Sequence, residues 1–173
     1  MDVVGSDKHE EFVVDAPSPA ETRVVVYKTT KEGERRKELY RRTFQAGRSN
    51  EIRLYGLGGQ DRFSIEGVGR GIDVYVIGGS GDDSFEDRSE GRRGNVFVVD
   101  VLGGMETHPG PSTRLKLSDD ARVNRYDEHD YAIIRAVPRV SLGNNADDGL
   151  FLGAGATIYT HRFRKQPFAA SHT

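Results

Sequence analysis

Ile52-Arg53-Leu54-Tyr55-Gly56-Leu57-Gly58-Gly59-Gln60-Asp61-Arg62-Phe63 decides the fold. The stretch returns 22 residues later as Val74-Tyr75-Val76-Ile77-Gly78-Gly79-Ser80-Gly81-Asp82-Asp83-Ser84-Phe85. Apolar residues recur at 52/74 and 54/76, glycines at 56/78 and 59/81, Asp at 61/83 and Phe at 63/85. Another step of 22 reaches Val96-Phe97-Val98-Val99-Asp100-Val101, which keeps the strand and loses the turn. A worn earlier copy stands at Val4-Gly5-Ser6-Asp7-Lys8-His9-Glu10-Glu11-Phe12. A fixed period of this size is the signature of stacked structural units. Each unit reads as a short strand, a glycine turn, an Asp and an inward aromatic. The expectation is an all-β chain: a short β-solenoid or stacked β-sheet module, with a β-hairpin inserted at 20–46. Phe12, Leu54, Phe63, Val76, Phe85 and Val98 are its expected core.

Working outward, Arg23-Val24-Val25-Val26-Tyr27-Lys28 is β-branched and reads as a strand, and Glu38 to Phe44 returns from the turn at Lys31-Glu32-Gly33-Glu34. Ala16-Pro17-Ser18-Pro19 is expected to break the strand before it. Between Lys28 and Arg53 stand nine Lys or Arg against four Glu. Such a hairpin either offers phosphate, anionic polysaccharide or lipid headgroups a basic patch, or is a solvated face that deters edge pairing. The interleaved acids favour the solvated face. Leu115 and Leu117 flank Lys116 in a short strand. Tyr131 to Val137 forms another, expected to stop at Pro138. No stretch has convincing amphipathic helical spacing.

Composition sets outer limits. Charged residues are 30% and hydrophobic ones 35%, so the core must be thin, as in a stack of small units. A net charge of −2 gives no global reason to expect nucleic acid. Without cysteine there is no disulfide framework or thiolate metal site. No signal peptide opens the chain, and no apolar run is long enough for a membrane helix. Met1 leads straight into a polar repeat element, so the chain is read as a piece of a longer protein.

Gly78-Gly79-Ser80-Gly81-Asp82-Asp83-Ser84-Phe85-Glu86 fits the calcium nonapeptide pattern, and 56–64 fits it with Leu57 at the second glycine. Two readings follow. Either Asp61 and Asp83 supply hard oxygen ligands to calcium, or Gly56, Gly59, Gly78, Gly79 and Gly81 make tight turns whose amides the two Asp side chains cap. The intervening residues between copies, unlike back-to-back nonapeptides, favour turns. Asp61, Asp83 and Asp100 are also candidates for a stacked acidic ladder, as a polysaccharide-cleaving β-helix would need. No positioned base or nucleophile accompanies them, so no autonomous enzyme is expected. The acidic run Tyr126 to Tyr131 reads as an exposed turn. His9, His108, His161 and His172 carry no assigned role.

After Asn144-Asn145-Ala146-Asp147-Asp148-Gly149 the texture changes. Leu150 to Thr160 is an uncharged, Gly-rich strand of eleven residues. One face carries Leu150, Leu152, Ala154, Ala156 and Ile158; the other carries Phe151, Gly153, Gly155, Thr157 and Tyr159. Its length suits a tilted strand across a bilayer. Cations and aromatics follow in His161 to Phe168.

On Asp147 to Gly155 and Phe163 to His172 the end of the chain resembles the opening of the outer-membrane surface-antigen barrels of assembly-factor type. Val4 to Lys8, Ile52 to Phe63 and Val123 to Tyr126 resemble the region that joins a calcineurin-like metallophosphoesterase domain to such a barrel. The resemblance implies a cell-envelope location at the periplasmic face of the outer membrane. It implies as partners the barrel and the phosphoesterase domain of the same parent chain, with membrane proximity through residues 150–173. It confers no activity, because the phosphoesterase array of Asp, His and Asn has no counterpart here. The expected organisation is a connector over 1–143 and a truncated barrel start over 144–173, disordered or loosely packed in isolation. No cofactor is expected unless calcium binds. The alternatives are a calcium-binding module of hemolysin type and a polysaccharide-active β-helix.

Overall fold

Alternation of apolar and polar residues in Ile52-Arg53-Leu54 and Val74-Tyr75-Val76 suits strands with one face turned to a core. The computed structural model describes residues 1–90, 95–127, 135–145, 149–162 and 165–172. Their regular structure is β-strand apart from one 3-10 turn, with no α-helix among the described residues. The chain forms two compact units, Met1–Tyr126 and Asp127–Thr173.

In the first unit β1 (Asp2–Val4), β5 (Glu51–Gly59), β7 (Asp73–Gly81), β9 (Val96–Val101) and β11 (Thr113–Ser118) form one sheet in that order. All its pairs are parallel. The second sheet runs β10 (Met105–His108), β8 (Asp83–Asp87), β6 (Arg62–Ile65), β2 (Glu10–Ser18), β3 (Glu21–Thr29) and β4 (Arg35–Gln45). Its first four strands are parallel to one another, and β2, β3 and β4 are antiparallel neighbours. From β4 onward the chain steps alternately between the two sheets.

Register follows the sequence correspondence. Ile52 pairs with Val74, Leu54 with Val76, Gly59 with Gly81 and Phe63 with Phe85. Val74 and Val76 pair in turn with Val96 and Val98. Phe12 lies beside Phe63, although β3 and β4 intervene in the chain. Between the sheets sits one core, with Phe12, Leu54, Phe63, Val76, Phe85 and Val98 all buried in it. Phe12 and Phe63 stack with ring centroids 4.8 Å apart. β3 and β4 add Val24, Val26 and Phe44 to the same core. On the outer face of the five-stranded sheet, Tyr55 and Ile77 are also buried. Tyr126, which follows a 3-10 turn at Ala121–Asn124, meets Tyr55 edge to face at 4.9 Å.

The proline segment does not break β2. The strand runs to Ser18, and a register shift against β3 between Asp15 and Ser18 accommodates Pro17. Pro138 does not stop its strand either. It lies within β12 (Arg135–Asn145), an edge strand, where a missing amide donor is tolerated. Residues 131–134 lie outside the described residues. The division between units also falls earlier than 143/144. β12 pairs along its length with β13 (Gly149–Arg162), which pairs with β14 (Lys165–His172), so the second unit is a three-stranded antiparallel sheet.

The glycine turns set a steric test. Gly59, Gly79 and Gly81 have positive φ, and so does Leu57, at 77°. A Cβ on Gly81 would collide with the carbonyl oxygen of Gly59. A non-glycine residue in this region costs about 1–2 kcal/mol. Gly81→Ala is therefore expected to lower unfolding free energy by more than about 2 kcal/mol, given clash and strain together. Leu57→Gly should stay within about 1 kcal/mol of the parent, because relief of strain offsets the glycine's extra unfolded freedom. Denaturant melts of the three proteins check this, and coincident midpoints for Gly81→Ala and the parent would refute the stacked-turn geometry.

Candidate functional site

Gly56 and Gly78 are glycines for a different reason from their neighbours. Neither has positive φ, but neither has room for a side chain. A Cβ on Gly56 would fall on the carbonyl oxygen of Gly78 and on Oδ2 of Asp61. One on Gly78 would lie 2.6 Å from Asp83 Oδ2 and 2.9 Å from Asp100 Oδ2. One on Gly5 would lie 3.0 Å from the carbonyl oxygen of Gly56 and 3.1 Å from Glu10 Oε2. The space these three glycines leave is filled by a column of carboxyl and carbonyl oxygens together with the Met105 methyl, 2.7 Å from a Cβ on Gly78, and the Phe12 ring edge, 3.1 Å from one on Gly5.

The inner oxygens of Asp61 and Asp83 tie successive turns together. The amide of Glu10 donates to Asp61 Oδ1 at 2.8 Å, and the amide of Asp61 donates to Asp83 Oδ1 at 2.9 Å. Each Asp thus caps one amide, but it is the amide of Glu10 or Asp61 and not one of the glycine turns. Asp100 enters from β9 in the other sheet; the residue paired with Asp83 in β10 is Met105. Asp100 Oδ1 accepts from the Val101 amide and from Asn124 Nδ2, each at 2.6 Å. Asn124 Nδ2 also donates to the Gly79 carbonyl, so the 3-10 turn is fastened to the column.

The second oxygens are different. Oδ2 of Asp61, Asp83 and Asp100 and Oδ1 of Asn124 are buried and have no hydrogen-bond partner. Asp61 is 2% exposed, Asp83 3% and Asp100 0%. A buried polar atom left without a partner costs on the order of 1–3 kcal/mol, more if charged. Burial pushes the Asp61 carboxyl up to about 8, against the pull of the Glu10 amide, and the charges of Asp83 and Glu10 add to the rise. Burial likewise pushes Asp83 up to about 6, helped by Asp100 and Asp82. Asp100 is raised by burial in spite of its bonds to Asn124 and the Val101 amide.

Sequence reading singled out Asp61 and Asp83, and the structure places them in consecutive turns. Asp100 joins them from an unexpected direction, so the regular ladder is replaced by a convergence from both sheets. Glu10 and Asn124 were missed. Glu10 occupies in the worn copy the place that Asp61 holds in the next one, as the Phe12–Phe63 register shows. Asn124 has no such signal. Among the described residues no group of three or more His, Asp or Glu is arranged to hold a metal ion. His9 accepts the Gln60 amide on Nδ1. In the basic hairpin Arg35 pairs with Glu11, Arg36 with Glu34 and Arg41 with Glu38. Most of the Tyr126 to Tyr131 run lies outside the described residues. Compared with family models, curated proteins and solved structures, the chain matches none of them.

A carboxyl whose folded pKa is raised contributes stability that is complete below its unfolded value, 3.8 here, and is lost as pH rises through the folded one. The melting temperature of the first unit should therefore fall between pH 5 and pH 9. Asp61→Asn keeps an acceptor for the Glu10 amide and removes the titrating carboxyl, so its profile over that window should be flatter. Equal slopes for the variant and the parent would show that Asp61 is not the titrating group.

Proposed function

We propose that this chain is a non-catalytic connector of a cell-envelope protein. In this reading the first unit is a short β-solenoid with an inserted hairpin. It acts as a stiff spacer between a soluble domain and an outer-membrane barrel whose wall begins in β12, β13 and β14. The observation that carries the reading is the second unit's apolar face. Val140 is 76% exposed, Leu142 70%, Leu150 73% and Leu152 74%. Leu142 pairs with Leu152, Val140 with Ala154 and Asn144 with Leu150, so these leucines and Val140 share one side of the sheet. Arg139, Ser141, Gly153 and Gly155 share the other. A contiguous exposed apolar face is unusual in a soluble protein and marks an interaction surface. Alternation of apolar and small or polar residues over long antiparallel strands is the pattern of a barrel wall, lipid on one side and lumen on the other. Three strands cannot close, so the reading requires further strands to complete the barrel.

The column supports the non-catalytic part. Asp61 and Asp83 are almost wholly buried against glycine backbone. Carboxyls so placed cannot reach a polymer lying in a groove, which leaves a polysaccharide-cleaving mechanism without its acids. No helix of the described residues is long and apolar enough to cross a membrane, which says nothing of strands.

Flotation with vesicles of bacterial outer-membrane phospholipid tests the reading. The chain should rise with the vesicles, while Leu142→Asp/Leu152→Asp should remain in the dense fraction with an unchanged melt of the first unit. Failure of the parent to float, or equal flotation of the double variant, would remove the barrel-wall assignment.

A further inference from the structure

We propose that the end of the two-sheet stack formed by β10 and β11 is a docking surface for a second copy of this chain, the two related by a twofold axis. The inference is independent of the connector reading. It rests first on how the sheets end. β1, β5, β7 and β9 each lead into a strand of the six-stranded sheet, whereas β11 leads into the 3-10 turn. The five-stranded sheet therefore projects one strand beyond β10. Among the described residues neither β10 nor β11 has a further neighbour in its sheet. Both edges present backbone amides and carbonyls to an incoming strand.

The second observation is the inner face of the projecting strand. Val3, Leu54, Val76, Val98 and Leu115 lie side by side across the five-stranded sheet. The first four are buried, but Leu115 is 44% exposed, and Leu117, on the same side of β11, is 39% exposed. The apolar row of the core thus runs out into solvent. Stacked-unit proteins ordinarily close such an end with a polar outer face; this end is apolar.

Charge and strand count name the occupant. Arg114, beside Phe97, and Lys116 lie on the outer side of β11, which carries no acid. Glu106, beside Ser84, lies on the outer side of β10 and is exposed, with His108 Nε2 3.9 Å away. A twofold operation sets β11 of each copy into the step beside β10 of the other, so each contact is made twice. Leu115 and Leu117 of the two copies then close the core between them, and Arg114 of one comes alongside Glu106 of the other, an opposite-charge pair on adjoining strands. The opposite end of the stack does not fit this step. There the six-stranded sheet extends by two strands, β3 and β4, beyond β2. A one-strand projection fits only another of its own kind.

Sedimentation velocity of the full chain over a micromolar concentration series tests the proposal. A reversible dimer is expected. It should persist in Leu142→Asp/Leu152→Asp, which disables the second unit's apolar face as an alternative contact. Glu106→Arg and Arg114→Glu each bring like charges together twice per dimer, and each should weaken association about fivefold or more. Both side chains are exposed, so the variants keep the fold. Within one copy the two residues lie on opposite outer faces, so only contact between copies can couple them. Their combination should return association to within about twofold of the parent. A parent that stays monomeric throughout the series would overturn the proposal, as would loss of the dimer in Leu142→Asp/Leu152→Asp. Single charge variants that associate like the parent, or a combined variant no tighter than the single ones, would overturn it too.

Discussion

A backbone amide of one turn reaching the carboxylate of the next is the interaction on which the first unit depends. In an ordinary parallel ladder, amide meets carbonyl. At Glu10 and Asp61 the amide meets a side-chain oxygen from the neighbouring turn instead. That substitution lets the chain leave one sheet, turn sharply and enter the other without abandoning a buried donor. It also fixes the turn's composition. The carboxylate must lie where a side chain at 56 or 78 would otherwise be, so both positions are glycine. Gly59, Gly79 and Gly81, with positive φ, have a separate duty, which is to carry the chain around the corner.

The same interaction accounts for the awkward chemistry of the column. A carboxylate has two oxygens, and the turn uses one. Asp61, Asp83 and Asp100 each have a buried second oxygen packed against Gly56 or Gly78, where there is no donor to meet it. Desolvation therefore raises all three carboxyls. The fold gains its corner and retains carboxyl oxygens without donors, for which the protonated form is favoured. Stability and its pH dependence in this unit are consequently properties of the same few atoms.

How much of this was legible follows from what repeats. Phe63 and Phe85, or Gly59 and Gly81, hold corresponding places in the two copies, so a single sequence displays their equivalence and the pairing register matches it. The all-β class and the six core positions rest on the same signal. Asp100 was legible as an acid but not as a partner of Asp83, because it arrives through β9 and departs from the period. Asn124 reaches the column from a non-repeating 3-10 turn, and nothing in its neighbours points there. Pro138 and Pro17 misled for one reason: local punctuation rules cannot see that a strand lies at a sheet edge or carries a bulge. The unit boundary moved because β12 belongs with β13 through eleven cross-strand pairs, a long-range fact that composition does not encode.

The basic hairpin also finds its explanation in the sheet. β4 is the last strand of the six-stranded sheet, so one of its edges has no neighbour within the unit. An exposed eleven-residue edge is a template for pairing with another chain. Arg35, Arg36, Lys37, Arg41 and Arg42 all lie on β4, exposed. Arg35, Arg36 and Arg41 are already engaged by Glu11, Glu34 and Glu38, and Arg42 lies over the Phe44 ring. A patch built to hold phosphate would keep its guanidinium groups free for a planar anion. Cations distributed along an edge and compensated in place instead burden any incoming strand with the cost of desolvating them. The hairpin's charge is better understood as a guard on the sheet's end than as a docking surface, and its inward residues Val24, Val26 and Phe44 serve the core that the edge protects.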